Sequence, residues 1–391
     1  MCCNFSLLAQ DSTKKSLADR TKGMKDIGDY YRQIFHKKAT IDTTKRKTLG
    51  PFYTPVIYPG YSLVTGTLLG LSNNVSFYTH AGADAKISTV ITDIVYTEFK
   101  QSINIMRSSL WLNHERINLL GDWRFYKFPT FTYGLGGKTL LADANAVDYS
   151  QLRIYEVAVK QVTDDLLMGV GYNLDSHWNL KETNNPALVN TDLDKYGFSD
   201  KSISSGISLN LVYDNRLNSN SPADGYYVNV QLRDNLKLLG SDNNWQSATL
   251  DFRHYIPLSK RRRSILAFWS YDVFTLGGNP PYFDMPSIGG DTFNNSGRGY
   301  AEGRFRGLNM MYFETEYRYD IVKNGFIGGV AFANVSTFSE IDTKKFEKIN
   351  AGYGMGIRIK MNKNSNTNLG IDYVLATNGV GGFSFTLNEL F

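Results

Sequence analysis

The sequence predicts an all-β fold, a 16-stranded antiparallel transmembrane β-barrel with a short N-terminal helical and basic periplasmic segment, and three observations carry that reading. The final stretch, Gly381 to Phe391, alternates apolar and polar residues and stops on an aromatic. A terminal strand of this kind closes a cylinder and leaves no edge exposed in lipid. Aromatic residues make up 14% of the 391 residues, although mean hydropathy is only −0.30 and no apolar run approaches the roughly 18 residues of a spanning helix. A barrel places such rings on its lipid face and in its interfacial girdles. The third observation is regular strand spacing from Gly50 onward, which argues for one closed sheet over two soluble domains.

In chain order, strands are expected at 51–59, 62–80, 86–98, 101–112, 116–127, 149–163, 166–181, 202–216, 225–236, 243–258, 264–277, 307–321, 325–336, 349–362, 366–377 and 381–391. The count is even, as a bacterial single-chain barrel requires. Alternation is clearest late in the chain. Tyr353, Met355, Ile357, Ile359 and Met361 share one face, opposite Gly352, Gly354, Gly356, Arg358 and Lys360. In the same way Met311, Phe313, Tyr317 and Tyr319 oppose Glu314, Glu316 and Arg318, and Ile207, Leu209 and Leu211 oppose Gly206, Ser208 and Asn210. Side chains on alternate positions point to opposite faces, so the apolar sets face lipid and the charged sets face a polar lumen, where charges are tolerated. Segment 86–98 alternates poorly. Asn324-Gly325, Lys363 to Asn366 and Asp164-Asp165 read as tight turns, whereas 128–148, 182–201 and 278–306 are long loops.

Ahead of the barrel (50–391), residues 1–9 read as the remnant of a truncated signal peptide, with Ala9 before Gln10 as the cleavage point. The two cysteines, Cys2 and Cys3, are adjacent and poorly placed for a mutual disulfide. Residues 10–49 form a periplasmic amphipathic helix and basic linker. Within Ser16 to Phe35, Leu17, Met24, Ile27, Tyr31 and Ile34 fall on one helical face, and His36 to Lys47 is polar and basic. Residues 10–50 hold eleven Lys/Arg against five Asp/Glu, so the net charge of +5 resides there and the rest of the chain is close to neutral. This reads as a solvated segment near anionic headgroups, not a nucleic-acid arm.

The segment from Gly277 to Gly307 is too long and too glycine-rich for a hairpin. It carries Ser287-Ile-Gly-Gly, Gly297-Arg298-Gly299-Tyr300 and Gly303-Arg-Phe-Arg306, followed by Glu316-Tyr317-Arg318 on the next strand. These motifs, with Asp214-Asn-Arg216, Pro222-Ala-Asp-Gly225-Tyr226, Gly352-Tyr-Gly-Met-Gly356-Ile-Arg358 and Ile371-Asp372-Tyr373, resemble the BamA/TamA-type outer-membrane assembly and translocation superfamily. The resemblance implies a sixteen-strand barrel with an Arg-Gly-Tyr tip on the loop between strands eleven and twelve, where the strand count places this loop. It covers residues 50 to 391, with two departures. Only about 40 residues precede the barrel, too few for a POTRA domain. The inward Asp often found at the position aligned to Ala331 is absent.

A guanidinium inside a barrel needs carboxylates around it. Glu314 and Glu316 are the expected partners of Arg298, with Asp251 and Asp372 as other inward acids. Gly297 and Gly299 let the backbone turn sharply, and Tyr300 packs on the wall. The seam and C-terminal signal are assigned to Gly381, Gly382, Phe383, Phe385 and Phe391, and Pro51 and Pro55 weaken pairing on the first strand.

Enzyme readings find little support. His36, His80, His114, His177 and His254 show no metal-ligand spacing, no Gly-x-Ser-x-Gly turn occurs, and His254 reads as an outward interfacial residue. No catalytic residue, cofactor or metal is expected. The expected function is an integral outer-membrane barrel of a Gram-negative bacterium that assists insertion, translocation or scaffolding of envelope proteins through a weak seam. Its partners would be outer-membrane lipid, lipopolysaccharide and envelope protein clients or subunits, with no nucleic acid. A passive pore, or the membrane anchor of a separate enzyme subunit, is the alternative.

Overall fold

The computed structural model describes residues 23–35, 51–62, 65–79, 87–112, 116–183, 191–196, 199–216, 221–259, 263–363, 366–379, 381–387 and 389–391. The signal remnant, both cysteines, Leu17 and the stretch His36 to Lys47 lie outside the described residues. The strands are β1 (Phe52–Ser62), β2 (Gly66–Phe77), β3 (Ser88–Thr97), β4 (Ser102–Leu112), β5 (Ile117–Lys127), β6 (Thr130–Thr132), β7 (Asn145–Gln161), β8 (Leu166–Glu182), β9 (Lys201–Asp214), β10 (Gly225–Asn235), β11 (Trp245–Pro257), β12 (Ser264–Gly278), β13 (Asn309–Asp320), β14 (Ile327–Ser339), β15 (Phe346–Asn362), β16 (Thr367–Ala376) and β17 (Gly382–Leu387). Apart from the three-residue β6, which borders β7, each strand pairs antiparallel with its sequence neighbours. Sixteen wall strands thus form a nearly closed barrel. Among the described residues no ladder joins β17 to β1. No described helix is long and apolar enough to cross a membrane.

Period-two alternation sorts the side chains as the strand geometry requires. Met311, Phe313 and Tyr317 on β13, Tyr353, Met355 and Ile357 on β15, and Ile207 and Leu209 on β9 are exposed, while Glu314, Glu316, Arg318, Arg358 and Lys360 are buried. Segment β3 obeys the same rule, with Ile94 and Tyr96 exposed and Val95 and Thr97 buried. Its poor pattern in sequence arises because this part of the inner wall carries apolar residues.

Two expectations need correction. The last strand stops at Leu387 instead of running to Phe391. Beyond it Glu389, Leu390 and Phe391 turn into the lumen and are buried, because Glu389 meets arginines there and Phe391 meets rings. The expected loop at 128–148 contains β6 and the first turn of β7. As expected, a short N-terminal helix is present, Ile27–Ile34 among the described residues, and Ile27, Tyr31 and Ile34 on its apolar face are exposed. The helix docks through its polar N-terminus. Asp26 caps it by accepting from the Asp29 amide (2.9 Å) and also accepts from the Lys363 amide (3.1 Å). Asp29 pairs with Lys363 and Arg32 at 2.7 Å each, and Tyr30 packs on Phe326 with ring centroids 4.4 Å apart. This fixes the helix to the barrel end that carries the short turns.

Candidate functional site

The loop between β12 and β13 enters the barrel. Ile288, Tyr300 and Phe305 from the loop join Trp269, Met310, Tyr312, Phe338, Leu390 and Phe391 in one buried cluster inside the wall. Two glycines make the loop tip possible. Gly297 and Gly299 have φ of 84° and 93°, and a Cβ at Gly299 would stand 2.8 Å from the Ala376 Cβ, so only glycine fits without strain.

Between them Arg298 is carried to the inner faces of β13 and β16. Its Nη2 pairs with Glu314 and Glu316, and its Nη1 lies 3.1 Å from Asp372 Oδ2. The guanidinium sits 3.7 Å from the Phe332 ring centroid. The Asn334 side-chain amide donates to the Arg298 carbonyl (3.2 Å). Of the two further acids named from sequence, Asp372 joins the cluster. Asp251 is held by its neighbour Arg253 (2.7 Å) and by Trp269 Nε1 (2.9 Å). Ala331 faces outward, so the inward position beside Arg298 belongs to Phe332, whose ring covers the cation instead of neutralising it.

The acids around Arg298 have further partners. Arg318 Nη2 pairs with Glu316 (2.5 Å), Arg358 Nη1 with Asp372 (2.5 Å), and the Tyr312 hydroxyl donates to Glu314. Glu389, from the inturned terminal segment, accepts from Arg358 Nε (3.0 Å) and Arg263 Nη2 (2.5 Å). Arg318 Nη2 also donates to the Phe391 carbonyl at 2.9 Å. Glu314, Glu316, Asp372 and Glu389 are thereby matched by Arg263, Arg298, Arg318 and Arg358, and the formal charges cancel. Buried carboxylates survive only with such pairing. One network links the loop tip, the wall beside the seam and the chain's last residues.

Other loop anchors were missed in the sequence. Arg304 donates to the Thr139 carbonyl (2.7 Å) and Arg306 to the Phe283 and Met285 carbonyls (3.1 Å each). Tyr300 Oη lies 2.8 Å from the Ala351 carbonyl. Asp284 accepts from the Ser204 hydroxyl (2.5 Å) and stands 3.6 Å from His177 Nδ1. Burial, with the Asp175 carboxylate nearby, pushes the Asp284 carboxyl up to about 7. The run Gly303-Arg-Phe-Arg306 offered the available signal for the two arginines. Their acceptors are backbone carbonyls distant in sequence.

The residues assigned to the seam divide. Phe383 and Phe385 are exposed on the outer face of β17, Gly381 and Gly382 lie at its start with positive φ, and Phe391 is inside against Trp269 and Tyr255, with centroids 5.2 and 6.3 Å away. His254 faces outward and stacks on Tyr226 at 4.0 Å. Among the described residues no group of His, Cys, Asp and Glu is arranged to hold a metal ion.

Residues 74–373 match the model of the Omp85 superfamily domain. No curated protein matches the chain. Among solved structures, BamA from Haemophilus ducreyi lacking POTRA domains 1–3 superposes with a TM-score of 0.57 at 14% identity, over 86% of this chain and 70% of that one. CdiB from Acinetobacter baumannii gives 0.54 at 13% over 86% and 59%, and CdiB from Escherichia coli 0.51 at 12% over 86% and 61%. At these identities the likeness is one of fold. The chain spans about three fifths of either CdiB.

Proposed function

The chain belongs to the Omp85 superfamily of Gram-negative outer-membrane barrels, and from that membership we propose that it assists the insertion, translocation or scaffolding of envelope proteins by parting the seam between β1 and β17. Membership places it with transport and assembly barrels and not with enzymes. The observation that carries the reading is the seam itself. Every other pair of neighbouring wall strands shares a ladder, whereas none joins β17 to β1 among the described residues, and β17 is only six residues long. An unpaired edge can accept an added strand through main-chain hydrogen bonds. The barrel-like belt of exposed Leu69, Val170, Leu209 and Phe313 contacts lipid, and residues 10–49 serve as the periplasmic linker.

In this reading the 279–308 loop is a plug. Arg298 ties it to the wall through Glu314, Glu316 and Asp372, so the loop obstructs the lumen while the seam remains the weak line. That combination favours an assembly role over a passive pore. The test is a seam lock. Cysteines at Tyr58 and Ser384, in a background with Cys2 and Cys3 replaced by serine, are bridged by a cleavable bis-maleimide in proteoliposomes. Locking should stop client insertion, and cleavage should restore it. Full insertion by the locked barrel, or large single-channel conductance from the wild type, would refute the proposal.

A further inference from the structure

We propose that a notch on the outer wall, across β12 to β15, binds a hydroxylated lipid acyl chain, with Asp272 accepting from the chain hydroxyl. This inference is independent of the assembly reading and begins from a carboxyl group on the lipid-facing side of the sheet. On β12, Trp269 and Tyr271 belong to the inner face, where they pack in the buried cluster of the lumen. Asp272 therefore points outward, and its ladder partners Leu250 on β11 and Met311 on β13 share that face. The charged side chains nearest on those strands, Asp251, Arg253, Glu314 and Glu316, stand opposite the inward positions Ala267, Trp269 and Tyr271. On the outer face of β12, Phe268 and Leu276 lie four residues to either side of Asp272, each separated from it by roughly 13 Å of strand. Asp272 is thus inside the apolar belt, which in such barrels is about 25 Å tall. An ionisable side chain at that depth is costly and marks a site that needs a partner.

A cavity of about 180 Å³ adjoins Asp272 and is lined by Ser270, Met311, Phe313, Val335, Thr337 and Ile349. Register puts these side chains on one face, since Ser270 pairs with Phe313, Phe313 with Val335, Met311 with Thr337 and Thr337 with Ile349. Met311, Phe313, Val335 and Ile349 are exposed, so the cavity is a notch in the surface that meets the bilayer. It is smaller than the roughly 300–1,000 Å³ that encloses a whole small ligand. A notch of this size takes a section of a chain and not a headgroup.

The polar side of the notch is incompletely bonded. The Ser270 hydroxyl donates to Asp272 Oδ2 (3.0 Å) and the Tyr312 amide to Asp272 Oδ1 (3.3 Å). A carboxylate offers about four acceptor sites, so capacity remains, and among the described residues no cation lies within 4.0 Å of it. Across Met311, the buried Oγ1 of Thr337 has no hydrogen-bond partner among the described residues. The wall itself does not call for an acid here, because Leu250 and Met311 fill the adjoining outward positions with apolar side chains. Asp272 lacks a donor that comes from the lipid side. A charged headgroup would have to leave the interface and enter hydrocarbon to supply one. A hydroxyl on an acyl chain is already at that depth, and the methylenes beside it pack on Met311, Phe313 and Val335.

The experiment uses the full barrel in nanodiscs of phosphatidylcholine. The probe is a phosphatidylcholine whose stearoyl chain carries a mid-chain hydroxyl and, beside it, a diazirine, and the control probe lacks only the hydroxyl. On irradiation the hydroxyl probe should label peptides that contain Met311, Phe313 or Val335 about two- to tenfold more than the control, the range of one hydrogen bond. Asp272→Leu should bring the two probes to equal labelling, and Asp272→Asn, which keeps an acceptor, should retain part of the preference, while both barrels keep heat-modifiable migration. Val335→Trp, which fills the notch and leaves Asp272 in place, should also remove the preference, and this keeps the test decisive if the Asp272 variants fold poorly. Equal labelling by both probes in the wild type, or a preference that survives Asp272→Leu, would overturn the proposal. So would efficient crosslinking of two barrels through Met311→Cys in a background with Cys2 and Cys3 replaced by serine, since a second copy of the chain would then cover the notch.

Discussion

Replacing Arg298 by alanine removes the cation that the loop tip inserts among Glu314, Glu316 and Asp372. Breaking a buried pair by deleting one partner costs about 3–5 kcal/mol, because the remaining charge is left uncompensated in a poor dielectric. At about 1.4 kcal/mol per factor of ten, local opening of the tip should rise roughly 100- to 3,000-fold. The cost is concentrated on one acid. Glu316 keeps Arg318 and Asp372 keeps Arg358, whereas Glu314 is left with the Tyr312 hydroxyl. Arg298→Ala combined with Glu314→Gln should therefore recover part of the loss. Arg304 and Arg306 still hold the loop by backbone carbonyls, so the barrel should fold. Amide hydrogen exchange of the 289–302 segment reads this opening directly. Arg298→Lys should restore only part of the protection, since an ammonium lacks the planar fork that reaches two acids at once. Exchange rates in Arg298→Ala indistinguishable from wild type, in a barrel of normal gel mobility, would refute the clamp.

Phe391→Ala should lower the folded fraction on heat-modifiability gels by the equivalent of about 3–5 kcal/mol, because the ring is buried against Trp269; Leu141→Ala, on an exposed loop residue, should have little effect, and equal yields would count against the inturned terminus. Gly299→Ala places a Cβ 2.8 Å from the Ala376 Cβ at φ 93° and should cost about 1–3 kcal/mol, read as faster proteolysis of the 279–308 loop; unchanged cleavage would exclude the tight turn. For Asp29, desolvation raises the carboxyl, but hydrogen bonds from Lys363 and Arg32 outweigh it and lower the pKa from 3.8 to about 2. A depressed acid stabilises the docked helix above its free value and loses that contribution as pH falls through the folded one. Exchange protection of Ile27–Ile34 should therefore drop between pH 4 and about 2 in the wild type, and an equal drop in Asp29→Asn would show that another group controls it.

Sequence alone determined the wall. Alternation such as Met311, Phe313 and Tyr317 against Glu314, Glu316 and Arg318 specifies both strand and face, because a one-residue slip would put the charges in lipid. The same local logic marked Gly297 and Gly299 as the sharp turns on either side of a buried cation. Pairings across the lumen were legible only for Arg298, whose partners Glu314 and Glu316 follow from their inward positions on the next strand. That Arg298 meets three acids and lies under Phe332, that Arg304 and Arg306 find backbone carbonyls, and that Glu389 gathers Arg263 and Arg358 depend on which walls a closed cylinder brings opposite each other. The terminal segment shows the limit most clearly. Its alternation continues past Leu387 as if the strand did, but a carboxylate and an aromatic ring three-dimensionally close to arginines and Trp269 gain more by turning inward than by extending an unpaired edge. Likewise Ile27, Tyr31 and Ile34 have helical spacing, yet the cap on Asp26 and the contact of Tyr30 with Phe326 decided which side meets the barrel. Periodicity is a property of neighbours in the chain, whereas these contacts join residues that only the closed barrel brings together.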